Sequence, residues 1–117
     1  MSEIISDYMV GFISTPTFEE AKKISALLVG KNLAACCTIL KGAVSIYKWD
    51  GKTTTSEECM ILIKTRQNVF SELIDRVREI HSYNLPEIIG VPMTEGLSGY
   101  LGWIDESTRK DFKQIEI

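Results

Sequence analysis

Long apolar runs, basic patches and paired cysteines are all missing from these 117 residues. The apolar stretches fall far short of the roughly 20 residues that a membrane-crossing helix needs, so membrane insertion is not expected. The 13 lysines and arginines are outnumbered by 16 acids and mixed among them, which leaves no basic face for nucleic acid. The opening MSEIISD has neither a basic start nor an apolar core, so it does not read as a secretory leader. The three cysteines, Cys36, Cys37 and Cys59, are an odd number without disulfide-rich spacing, which points to a reducing, cytoplasmic setting. No CxxC and no Cys/His spacing of structural zinc occurs. GxSxG, GxGxxG and P-loop strings are also absent, so no enzymatic reaction is expected. A thiol chemistry using Cys36 with His81 is the lesser alternative. Linkers, low-complexity segments and solenoid repeats are absent too, and histidine occurs once, at His81.

What is present fits one ordinary domain. With 44% hydrophobic and 25% charged residues, the chain can fill a single core. We expect one domain over residues 1–117, with its core at about 8–105 and a tail at 106–117. YMVGFIS is short and apolar enough for a buried strand. After Pro16, Thr17 and Glu20 form a capping box, and Ala21, Ile24, Leu27 and Leu28 recur at helical spacing. That helix is expected at about Thr17 to Val29, with Gly30 just past its end. Leu33 to Thr65 reads as two long strands, with a bulge at Gly42 and a tight turn at Asp50-Gly51. QNVFSELIDRVREIHS is a second amphipathic helix ending near Ser82, and EIIGVPM is a last, edge strand. A short helix capped by Ser98 follows. The order β-α-β-β-α-β is most economically an α+β, ferredoxin-like fold with one antiparallel sheet and both main helices on one face.

The hairpin is too long for its own globule. At about 3.3 Å per residue, a strand from Leu33 to Trp49 reaches about 50 Å, against a diameter near 35 Å for a compact domain of this length. Its outer half carries Val44, Ile46, Tyr47 and Trp49, and each large side chain left wet forfeits about 1.5–3 kcal/mol. A sharp bend at Gly42 is one remedy; a second copy of the chain is the better one. A homo-oligomer built around the hairpin is therefore expected.

The reactive residues are less decisive. Successive strand side chains point to opposite faces, so Cys36 and Cys37 cannot share one ion. Cys59 falls opposite Gly42, about 20 Å away from Cys36. One extra residue at Gly42 sets Lys64 opposite Cys36, where an ammonium favours the thiolate. Spacing alone still favours both cysteines as small core residues. It likewise favours His81 as a helix-end residue, Tyr83 as packing and Glu87 as a solvated charge.

Five strings in order, LVGKNLAACCTI, SIYKWDGK, EECMILIKT, IHSYNLPEIIGVP and EGLSGYLGWI, together resemble the CutA divalent-cation tolerance proteins. The resemblance covers about Ile13 to Ile104 and implies a ferredoxin-like subunit in a tight homotrimer joined through the long hairpin. It implies tolerance of copper and other divalent ions. Copper or another divalent ion is the expected ligand, and none should be required for folding. The trimer is similar to the PII signalling proteins, so the alternative function is small-effector binding in a signalling or scaffold protein. The family's AAC cysteine falls on Cys36, and its KT lysine on Lys64. Its tyrosine and tryptophan before the turn fall on Tyr47 and Trp49. Its HPYxxPE string places its histidine, tyrosine and glutamate on His81, Tyr83 and Glu87. Cys36, His81 and Glu87 are thus the implied metal set, and Lys64, Tyr83, Tyr47 and Trp49 the pocket around a metal ion or small anion between subunits. Ser82 stands where the family has proline, which should loosen the turn that carries Tyr83. Thr38 replaces a common asparagine, and GLSGYL stands for GNPxYL.

Overall fold

A computed structural model of the chain describes residues 6–108. Four strands form one sheet in the order β2-β3-β1-β4, with every neighbouring pair antiparallel. In chain order the elements are β1 (Tyr8–Thr15), α1 (Phe18–Gly30), β2 (Cys36–Trp49), β3 (Lys52–Arg66), α2 (Phe70–Ile80), β4 (Ile88–Pro92) and α3 (Ser98–Ser107). This is the α+β, ferredoxin-like arrangement, with the edge position of β4 tolerating the missing N–H of Pro92. The expected tail at 106–117 begins inside α3, and residues 109–117 lie outside the described residues.

Strand alternation divides the sheet into two faces. Ile13, Ile61 and Ile63 point toward the helices and pack with Ile24 and Leu28 of α1 and Leu73 and Val77 of α2. All seven are fully buried, each contributing about 1.5–3 kcal/mol of apolar burial. The opposite face carries Phe12, Leu40, Met60, Leu62, Ile89 and Val91 by register. Leu40, Ile89 and Val91 are exposed there. Among the described residues, only α3 lies over this second face, tied at one end by the Tyr8 hydroxyl on Asp105 (2.8 Å) and Arg66 Nε on the Thr108 hydroxyl (2.8 Å).

The helix ends depart in detail from the sequence reading. Thr17 caps the Glu20 N–H at 3.1 Å as expected, but the Glu20 carboxylate reaches Ser82 instead of closing the box. Gly30 is the last helical residue, and the left-handed position after it falls to Asn32 (φ 60°). Gln67–Val69 forms a 3-10 turn before α2, and α2 stops at Ile80, so His81 is an extended cap residue and not part of the helical face. Ser98 is the first residue of α3 and caps nothing; Leu97 precedes it without a side-chain bond.

The hairpin matches its expected construction. Asp50 (φ 53°) and Gly51 (φ 76°) make the left-handed two-residue turn. The register shifts by one between Leu40 and Ala43, with Gly42 at φ 80°, and Cys36 consequently pairs with Lys64. Beyond the helices the two strands run on as an arm. The radius of gyration is 15.5 Å and the longest dimension 48 Å, against about 13 Å for the radius of a compact chain of this length. Val44, Ile46 and Trp49 on the arm are 64%, 68% and 60% exposed.

Candidate functional site

Between the arm and the loop after α2 lies a cleft of about 580 Å³. Its walls include Tyr47 and Trp49 from β2, Glu58 from β3, and Tyr83 and Glu87 from the loop. Counting from the turn, Ser45, Tyr47 and Trp49 share one face of the arm with Ser56 and Glu58.

Glu58 organises the cleft wall. It is 7% exposed, and both carboxylate oxygens accept hydrogen bonds, Oε1 from the Ser45 hydroxyl (2.6 Å) and Oε2 from the Tyr83 hydroxyl (2.8 Å). The Tyr47 and Ser56 hydroxyls bond each other at 2.6 Å. Burial, and then donation to the Glu58 carboxylate, pushes the Tyr83 hydroxyl up to about 12.

His81 holds Tyr83 in place. Its ring Nε2 lies 2.8 Å from the Ser14 carbonyl, which can only accept, so Nε2 carries the proton. Nδ1 then accepts the Tyr83 N–H at 3.0 Å, and the two rings stand 5.0 Å apart. The imidazole is buried and occupied at both nitrogens. Ser82 answers for the missing proline in its own way. Its N–H donates to Glu20 Oε2 at 2.8 Å, a bond that proline cannot make, and this ties the turn to α1.

Four of the residues singled out in the sequence thus meet in the cleft, Tyr47, Trp49, Tyr83 and Glu87, with His81 directly behind Tyr83. Cys36 and Lys64 do not join them. They face each other at the opposite end of the sheet, where Lys64 Nζ donates to the Thr38 hydroxyl (3.0 Å) and Cys36 Sγ lies 3.9 Å from the same hydroxyl. Tyr100 of α3 lies beside Cys36, its hydroxyl pushed up by burial and then by that thiol. Cys36 pairs with Lys64, Lys64 with Val10, and Ser14 is four residues farther along β1. That places His81 about 13 Å along the strands and two strands across from Cys36. Among the described residues, no group of three or more His, Cys, Asp or Glu side chains could hold a metal ion. One chain therefore does not assemble Cys36, His81 and Glu87 into a site. Nor does Lys64 reach the cleft to receive an anion there.

The remaining thiols belong to the interior. Cys37 packs against the helix-side core, and burial pushes its thiol up to about 11. Cys59 is buried in the same core.

Glu58, Ser45 and Ser56 escaped the sequence reading. The signal was present: the Asp50-Gly51 turn sets Ser45 opposite Ser56, so Glu58 is its diagonal neighbour. What sequence could not show is that the carboxylate is buried, since strand alternation predicts a side and not a depth.

Comparison with known proteins bears on the family and the fold. The family described as CutA1 divalent ion tolerance protein matches residues 9–107. The chain is 40% identical over 99 residues to a divalent-cation tolerance protein CutA of Thermus thermophilus, covering 85% of this chain and 96% of that one. It is 39% identical over 101 residues to an Arabidopsis thaliana protein named CutA, chloroplastic. That match covers 86% of this chain and 56% of the plant protein, a little over half its length. A solved structure of a periplasmic divalent cation tolerance protein CutA from Archaeoglobus fulgidus superimposes with a TM-score of 0.85 at 37% identity, covering 87% of this chain and 99% of that one. Among the described residues, no helix is long and apolar enough to cross a membrane.

Proposed function

Because the chain belongs to the CutA1 divalent ion tolerance family, we propose that it acts in divalent-cation tolerance as a homotrimer assembled through the β2–β3 arm. The observation that carries this reading is the arm itself, with Val44, Ile46 and Trp49 exposed beyond the reach of the chain's own helices. The uncovered sheet face around Leu40, Ile89 and Val91 adds to the apolar surface that sister chains would cover. Copper or another divalent ion is the cargo, and Cys36 is the soft donor best suited to it. Any second ligand, whether His81 or Glu87, must then come from a neighbouring subunit, because one chain holds them apart. His81 ligates only by releasing Ser14 or the Tyr83 N–H. Three free cysteines suit a reducing, cytoplasmic setting, and no reaction is assigned.

A copper titration tests this directly. The wild type should develop a thiolate-to-copper charge-transfer band at sub-stoichiometric metal, lost in Cys36→Ala and weakened in His81→Ala and Glu87→Gln. Unchanged copper affinity in Cys36→Ala and His81→Ala rejects the metal assignment.

A second reading, a small-effector-binding trimer, is favoured by one separate observation. The arm and loop enclose a cleft of about 580 Å³, the size of a small-molecule site, lined by aromatic rings and carboxylates.

A further inference from the structure

The geometry points to an organic cation as the ligand of the cleft between the arm and the 81–87 loop, an amine or quaternary ammonium held by Glu58 and Glu87 against Tyr47, Trp49 and Tyr83. This rests on the effector-binding reading and names its ligand class.

Charge comes first. Among the described residues, those lining the cleft include two carboxylates, Glu58 and Glu87, and no lysine, arginine or histidine. Lys64, the cation the sequence suggested for an anion, is committed to Thr38 at the far end of the sheet. Glu58 is a buried carboxylate whose two hydrogen bonds come from neutral hydroxyls, those of Ser45 and Tyr83. Neutral donors bring it no positive charge, and a buried carboxylate gains most from an arriving counter-ion. Each carboxylate oxygen keeps a second lone pair for that ion.

The kind of cation follows from the other walls. Calcium takes six to eight oxygens and zinc three or four N, S or O donors. Among the described residues, no group of three or more His, Cys, Asp or Glu side chains is placed to hold such an ion. Three aromatic rings do suit a weakly hydrated organic cation, whose charge is attracted to ring faces. A cleft of about 580 Å³ also exceeds any bare ion.

Three probes of one shape and different charge test this on the full chain: tert-butylammonium, tert-butanol and pivalate. Binding is read from broadening of the tert-butyl proton signal, with the oligomer's mass followed alongside. The cation should bind about tenfold more tightly than either of the others. Its binding should be lost in Glu58→Gln and weakened in Tyr47→Leu, an exposed arm position that leaves the buried network intact. If Glu58→Gln fails to fold, Tyr47→Leu carries the test alone. Equal binding of all three probes, or preference for pivalate, overturns the cation assignment while leaving an effector cleft standing. No binding by any probe overturns both. Full cation binding in both variants places the ligand elsewhere and overturns this site.

Discussion

Tyr83 links the two halves of the cleft, and its hydroxyl makes the link measurable. Folding raises its ionisation from the ordinary value of 10 to about 12, first by burial and then by the bond to Glu58. The folded chain therefore keeps this proton between pH 10 and 12, where the unfolded chain gives it up. The stabilisation is whole below pH 10 and is lost as pH rises through that window. In urea denaturation, Tyr83→Phe should lose about 1 kcal/mol at neutral pH, because Glu58 loses a donor. Between pH 9 and 11 it should fall less steeply than wild type. Cys37, Tyr8 and Tyr100 are raised in both proteins, so the slope shrinks without vanishing. An identical alkaline slope in the two proteins contradicts the Tyr83–Glu58 bond. At this scale the sequence was only partly legible. Tyr47, Trp49, Tyr83 and Glu87 could be named from strings, because their motif is contiguous or adjoins the turn. The bond of His81 to Ser14 could not, since Ser14 lies 67 residues away in sequence.

Among the elements, the hairpin was the most readable, because its rules are local. Asp50-Gly51 sets the register, and one surplus residue near Gly42 resets it, which delivers Lys64 opposite Cys36. Gly42 sits in open space at φ 80°, so a methyl group there meets no neighbour and only the backbone resists. Gly42→Ala should cost about 1–2 kcal/mol from that left-handed conformation alone, read as a lower urea midpoint at unchanged slope. A loss below a few tenths of a kcal/mol means that the bulge does not need its glycine. Helix ends were read less well. The Thr17 cap was visible, but Glu20 leaves the capping box for the Ser82 N–H, a tertiary bond that outcompetes a local one. The 3-10 start of α2 and the missing cap of α3 are likewise settled by packing and not by propensity.

The whole molecule is an ordinary core with a large amount of apolar surface outside it. Aliphatic side chains such as Ile13, Leu28, Ile61 and Leu73 are sealed between helices and sheet, while Leu40, Val44, Ile46, Trp49, Ile89 and Val91 remain exposed. Sequence periodicity made that imbalance visible beforehand: the strands had to outrun the helices that cover them. The side of the sheet left open was not visible, because it depends on where α3 lands. Shelter by sister chains is the claim on which the trimer, the copper assignment and the shape of the cleft all lean. Sedimentation equilibrium at micromolar concentration tests it most directly. The account predicts three times the 13.2 kDa of one chain for wild type, and smaller particles once Ile46→Lys puts a charge on the arm. A mass of 13.2 kDa for the wild type at every dilution would contradict it.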